Sequence, residues 1–472
     1  MDNEFIFDLL HKAVKHGEEI GASFIEARLD NLSLTTINYT NEIITESSTR
    51  ERKGIGIIAY VDDTVGYSFT PVLTTEAVKE TTKRAAKIAK ASAFLSKEKE
   101  TFDERDAVKD IAERKVVKHP KDVEFDEKIE MLKRSISAIK ENIEPTSTTA
   151  VYGELWGDKY FVNSEGSEIY WNPLILDMRT VVTKKVNGFM ARGNDGVGSS
   201  QGLEFFENEP YTPETFGNNA GKYCKEQESA VSAPAGKTAA LIGPRLGGVL
   251  AHESFGHLSE SDFVMSGMSP IADRIGATLG TEHATIYDTG LTSKGGLWLP
   301  YDDSGTPTDD TIILDKGILV GYLHNRVSAK RMNTKPTGNS RAITYMFDPI
   351  PRMKNTYFGA GELTEEEAIE MMGDGIYAIG TSGGQADMDG SFLFKCSRGY
   401  LVEKGEVTKT IKDAALTGNI LEFIKRIKGA TKNIEMFTGY FGGCGKGGQY
   451  PLPVGMGGPI LYADEVMVGG EK

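Results

Sequence analysis

Apolar residues in the first half of the chain recur at helical and then strand spacings. Ile6, Leu9, Leu10, Ala13 and Val14 repeat at three and four residues, which predicts a helix. In "FIEARLD", Ile25, Ala27 and Leu29 alternate with Glu26 and Arg28, the pattern of a half-buried strand. "GIGIIAYVDDTVGYSFT" predicts a hairpin that turns at Asp62-Asp63. "TEAVKETTKRAAKIAKAS" predicts a helix with Glu76 in its first turn, where the helix dipole favours an acid. Ile129, Leu132, Ile136, Ile139 and Ile143 mark a further helix that stops near Pro145. Between these helices, residues 96–128 are dense in charge and predict a solvated connection. From Val151 to about Phe189 the turns "WGD", "NSEG" and "WNP" punctuate an expected β-meander.

The pattern breaks at the small-residue segment "SAVSAPAGKTAAL". Beyond it the chain is rich in glycine, turns and short strands, such as "TIILDKGILVGYL" and "GYLVEKGEVT". One helix carries "HESFGH", and another, "LTEEEAIEMMGDG", opens with a run of acids. The expected fold is α+β. A mixed helix and sheet domain spans 1–230, and a β-rich domain with the HESFGH helix spans 231–472.

Composition narrows the classes. A chain of 472 residues with 39% hydrophobic and 26% charged residues is expected to form two to four globular domains. A formal net charge of −15 argues against a nucleic-acid partner held by a general basic surface. The first residues lack the basic-then-apolar layout of a signal peptide, and no stretch approaches 18 uninterrupted apolar residues. No membrane association is expected. Three scattered cysteines, Cys224, Cys396 and Cys444, form no disulfide framework and suit a reducing cytoplasm.

Two formal motif matches fail on their surroundings. Gly236-Lys237-Thr238 resembles the end of a phosphate loop, but the required earlier glycine is Val231. Gly443-Cys444-Gly445-Lys446-Gly447-Gly448 fits a dinucleotide-binding pattern. The "QYPLP" that follows cannot open the helix such a fold needs.

His252-Glu253-Ser254-Phe255-Gly256-His257 is the richer segment. A zinc-peptidase helix spaces its histidines four apart, whereas these are five apart. On a regular helix, four steps leave two side chains about 40° apart and five leave them about 140° apart. Pro244 suits a first turn, and Leu246, Val249 and Leu250 supply an apolar face. The imidazoles can converge if the helix forms a π-turn, or if Gly256 ends it and swings His257 inward. Otherwise the two histidines lie on different faces and share nothing. Glu253 stands beside a ligand candidate.

Two histidines need at least a third protein ligand. Glu260 and Asp262 lie close in sequence. Of the cysteines, Cys224 sits in a polar helix-like stretch and Cys396 in an apparent strand, where packing explains them. Cys444 lies between glycines that strip away steric cover, so an exposed thiol is expected there, with either a ligand role or a purely structural glycine loop around it.

These segments resemble a known family. "HESFGHLSESDF" is similar to the H-E-x-x-x-H-x-x-E-x-D segment of the TldD/PmbA metallopeptidases. "WLPYDDSGTPT", "PIPRMKNTYFGAG", "DGIYAIGTSGGQADMDGSFLFKCSRGYLVEKGEV" and "GGCGKGGQYPLPVGMGGP" follow in that family's order. The resemblance covers the chain from about 230 onward. Leu258, Ser259 and Ser261 depart from it, where other members often have smaller residues or glycine.

The resemblance implies the TldD-like, metal-binding branch rather than the TldE-like branch that lacks the histidines. It implies His252, His257 and Cys444 as ligands of one divalent metal, zinc before ferrous iron, and Glu253 as the base that activates a metal-held water. It implies hydrolysis of unfolded or extended peptides in a cavity between two subunits, with a TldE-like paralogue or a second copy as partner. Two other functions fit the same residues: a non-catalytic, chaperone-like peptide-binding subunit with a structural metal, and a hydrolase of non-peptide amides.

Overall fold

The computed structural model describes residues 2–93, 101–102, 105–186, 188–291 and 295–469. The first part runs α1 (Asn3–Glu19), β1 (Phe24–Thr40), β2 (Ile43–Val61), β3 (Thr64–Thr70), α2 (Thr75–Ser92), β4 (Lys109–Ala112), α3 (Phe125–Asn142), β5 (Ser147–Asn163), β6 (Glu168–Trp171), β7 (Leu174–Val186), β8 (Phe189–Ser199) and α4 (Pro213–Glu226). The eight strands form one sheet, with β1 between β2 and β5 and with β7 joining β5 to β8. The β2–β3 hairpin turns where expected. Val61 pairs with Thr64, and Asp62 and Asp63 both have positive φ, as a tight two-residue turn requires.

One face of the sheet carries the helices. Ile25, Ala27 and Leu29 of β1 pack with α1 and α2, while Ile37 and Tyr39 further along β1 belong to the core shared with α3 and α4. The other face corrects the half-buried reading of β1. Glu26, Arg28 and Asp30 are buried too, because residues 302–348 of the second part cover them. Arg28 donates to the carbonyls of Thr344 and Phe347, and Asp30 accepts the Tyr345 N–H at 2.6 Å. Lys159, opposite Asp30 on β5, bonds Asp303. Alternation marked the two faces of the strand, but it could not tell that protein, not water, lay beyond the polar one.

The charge-dense 96–128 stretch needs a second correction. Residues 96–100 and 103–104 lie outside the described residues. The remainder includes β4, which pairs in parallel with β6 at the sheet edge, and Lys128 is buried against Glu154 at 2.8 Å. An edge strand tolerates charge on both faces, so it carries no alternation signal.

In the second part, five strands close into a ring: Gly236–Ile242, Gly375–Ala386, Ser391–Glu403, Ala415–Asn419 and Leu461–Gly469. A six-stranded sheet lies beside it, with Ile286–Thr289 and Asn355–Phe358 at its centre and Gly455–Gly458 next to Asn355–Phe358. One apolar core joins the two sheets. The architecture is therefore α+β, with helices concentrated early and strands late. Helix α5 (Pro244–Val249) leaves the strand Gly236–Ile242 and enters this core. Its Gly248 lies so close to Gly457 that a Cβ would stand 2.5 Å from the Gly457 nitrogen.

Candidate metal centre

Beyond α5 the helix changes its winding. Residues Leu250–Gly256 form a π-helical segment, and the His257 N–H bonds the His252 carbonyl five residues back. A single 3₁₀ turn, His257–Ser259, follows. This is the first of the two routes by which histidines five apart can converge. The extra residue per turn lets His257 follow His252 on one side, and the two ring centroids lie 5.4 Å apart. Gly256 makes room for it, since a Cβ there would meet the Met353 sulfur at 2.1 Å.

Cys444 arrives from the other end of the chain. It opens the strand Cys444–Lys446, which forms a small hairpin with Gln449–Leu452. The glycines around it allow the tight path expected: Gly443 has φ 147° and lies against Leu452, where a side chain would clash. The thiol is not exposed, contrary to the sequence reading. Cys444 is 1% exposed, because the hairpin turns its side chain into the core against the helix.

The donor atoms of His252, His257 and Cys444 lie within 4.8 Å of one another. The Cys444 Sγ stands 3.3 Å from His257 Nε2. Both ring nitrogens of His252 are buried, and they meet no partner except the Cys444 sulfur that faces the imidazole. An unsatisfied buried nitrogen of this kind costs about 1–3 kcal/mol, which a bond to a metal ion would relieve. Two imidazole nitrogens and a thiolate also form a donor set that suits zinc. The residues therefore fit a metal ion. Glu253 is half exposed at the edge of the cluster, with Oε2 3.6 Å from His257 Nε2.

The electrostatics favour a thiolate. Burial would raise the Cys444 thiol, but the charges of His252 and His257 outweigh it and bring it down to about 5. Burial would lower the His257 imidazole, yet Glu260 and Cys444 raise it well above its ordinary value. His252 is likewise raised, as the charges of Cys444 and Glu253 overcome its burial.

The acidic candidates lie elsewhere. Glu260 is fully buried behind His257 and accepts from its Nδ1 at 2.8 Å, away from the Nε2 that faces Cys444. Asp262 accepts from Lys446 at 2.7 Å. Cys224 is packed in the core between α3, α4 and their strands, and Cys396 is on a barrel strand; neither joins the cluster. Lys446 and Arg352, both buried beside Glu260, went unnoticed in the sequence. For Lys446 a signal existed, since it stands two residues after Cys444 in the same glycine-rich segment.

Fold and site together define a two-part α+β protein with a His–His–Cys cluster on a π-bulged helix. Comparison with known proteins gives the family. Residues 235–470 match the model described as the PmbA/TldA metallopeptidase C-terminal domain, 26–89 match domain 1, and 118–227 match the central domain. The chain belongs to the PmbA/TldD metallopeptidase family, on its TldD-like side. A protein of Methanocaldococcus jannaschii named a metalloprotease is 31% identical over 93% of this chain and 95% of its own length. A Haemophilus influenzae protein named a metalloprotease TldD homolog is 31% identical over 91% of this chain and 89% of its own. Among solved structures, TldE from Thermococcus kodakarensis shares the fold with a TM-score of 0.78 and 18% identity, covering 98% of this chain and 100% of that one. No helix among the described residues is long and apolar enough to cross a membrane.

Proposed function

We propose that this chain is a metal-dependent peptidase that cleaves unfolded or extended peptides. The observation that carries this reading is the convergence of three donors, from elements nearly 190 residues apart, within 4.8 Å beside a half-exposed carboxylate. His252, His257 and Cys444 would hold one divalent ion, zinc before ferrous iron. A Saccharolobus solfataricus relative, 24% identical over 98% of this chain, is named a zinc metalloprotease TldD homolog. Bound there, the ion would supply Lewis-acid polarisation of the scissile carbonyl and lower the pKa of an attacking water.

The chain's own residues do the rest. Glu253, adjacent in sequence to His252 and facing His257, takes the proton of the attacking water and returns it to the leaving amine. Its partial exposure leaves it open to substrate, while His252 and Cys444 stay buried. An extended peptide is the natural substrate shape, because backbone pairing with a sheet edge tolerates many side chains. The working assembly is taken to pair this chain with a TldE-like subunit or with a second copy. Residues 1–230 would act as the scaffold and 231–472 as the catalytic part. The three free cysteines suit a reducing compartment such as the cytoplasm.

The test is Glu253→Ala in the full chain, with bound zinc and cleavage of an unstructured peptide measured together. Retained zinc with cleavage reduced about 10²–10⁴-fold is expected. Unchanged cleavage would remove Glu253 from the mechanism. A panel of peptide and non-peptide amides, run on the same preparation, separates peptidase from amidase.

A further inference from the structure

The helical segment and the cysteine hairpin are tied together behind the cluster. Glu260 lies just beyond the turn that carries His257, and Lys446 lies on the strand that begins at Cys444. The Glu260 carboxylate accepts from His257 Nδ1 at 2.8 Å and from Lys446 Nζ at 3.1 Å through the same oxygen, Oε2. Lys446 also donates to Asp262 at 2.7 Å and to the Pro351 carbonyl at 2.8 Å, and it lies 4.3 Å from the Phe263 ring centre. Arg352 stands 4.0 Å from the other Glu260 oxygen. Glu260 and Arg352 are fully buried, and the Lys446 side chain is nearly so.

A buried carboxylate between a lysine and an imidazole has two geometric effects. It accepts the Nδ1 proton of His257, which fixes the tautomer that leaves Nε2 free toward Cys444. It also holds Lys446, and with it the backbone two residues from Cys444, at a set distance from the helix. The long buried stem of Lys446 cannot reorganise without exposing a charge to the core.

We propose that Glu260 and Lys446 act as one positioning pair that sets the distance and orientation between the His257 and Cys444 donors, and thereby the affinity of the cluster for zinc. This rests on the reading of the three donors as a metal site. Neither residue touches substrate in this account. Both act through the donors they hold.

The experiment measures zinc affinity of the full chain by competition with a chromophoric chelator, and thermal stability of the zinc-free protein. The variants are Glu260→Gln, Lys446→Met, Lys446→Arg, the Glu260→Gln/Lys446→Met double variant, and Cys444→Ala. Glu260→Gln should weaken zinc binding about 10–100-fold, the range for loss of an outer partner of a metal-binding histidine. Lys446→Met should weaken it about 10-fold, and Lys446→Arg should restore most of that loss. The double variant should be no weaker than Glu260→Gln by more than about threefold, because the two act as a unit. Losses that multiply in the double variant would overturn the pairing. So would lowered thermal stability with unchanged zinc affinity, which a merely structural role predicts. Should Glu260→Gln fail to fold, the Lys446 variants decide alone, and equal affinity in wild type, Lys446→Met and Lys446→Arg would overturn the proposal. Wild-type zinc affinity in Cys444→Ala would instead sink the metal reading beneath it.

Discussion

At the scale of single residues, spacing and resemblance pointed to the candidate donors but not to their surroundings. The five-residue spacing of His252 and His257 raised the question of a shared site, and the family resemblance proposed Cys444 as their partner ligand and Glu253 as the base. Glu260 was visible as an acid near the histidines, yet its sequence position cannot say which nitrogen of His257 it faces. The 3₁₀ turn decides that, by placing its carboxylate on Nδ1. Burial was the property least legible: glycines beside Cys444 suggested exposure, whereas Gly443 lets the hairpin close tightly on Leu452 while the cysteine itself is buried. The cysteines make a sharp contrast. Cys396, on a barrel strand with its thiol pushed up to about 12 by burial, has no neighbour that favours a thiolate. Cys396→Ala should leave zinc affinity unchanged. Cys444→Ala should weaken it by more than the roughly 100-fold that loss of an outer partner costs. Equilibrium zinc titration of the two variants checks this, and equal effects would contradict it.

At the scale of elements, periodicity located the helices well because α1, α2 and α3 each bury one stripe. The π-segment was legible only as a need: histidines five apart have to be reconciled somehow, and the sequence left two routes open. Contact with neighbours favours the route taken. Gly248 brings α5 onto the strand Gly455–Gly458, and Gly256 clears the Met353 side chain. Adjacent glycines in α5 should therefore respond in opposite ways. A Cβ at Gly247 would meet nothing closer than 3.7 Å, so Gly247→Ala gains helix propensity, up to about 1 kcal/mol. At Gly248 the obstacle is backbone at 2.5 Å, so Gly248→Ala should destabilise by roughly 1–3 kcal/mol or more and should weaken zinc binding as the helix shifts. Denaturant unfolding of both variants reads the first effect and zinc titration the second. Similar behaviour of the two would mean that α5 does not seat on that strand.

At the scale of the whole molecule, the two parts share a polar seam that composition could not reveal. Asp177 of β7 accepts the N–H groups of Tyr440 and Phe441 at 3.0 Å each, so the first part braces the segment that leads to Cys444. Deeper in the seam, Glu26 is raised from 4.5 to about 7, chiefly by burial, with Arg326 opposing and the charges of Asp302 and Asp348 adding to the rise. The folded chain thus keeps a proton at Glu26 that the unfolded chain has largely lost above pH 4.5. The stability this proton lends is full below that value and is lost as the pH rises through about 7. Glu26→Gln stays neutral throughout, so from pH 5 to pH 9 it should gain about 2–3 kcal/mol on the wild type. Denaturation at the two pH values tests this, and a difference that does not change with pH would contradict it. The proposed centre is one metal ion held by two imidazoles and one thiolate, with a position left open. X-ray absorption of the zinc-loaded full chain tests it most directly. One sulfur at about 2.3 Å and two imidazole nitrogens at about 2.0 Å are expected, with a lighter atom completing the shell. A shell without sulfur, or one closed by a fourth protein donor, would contradict it.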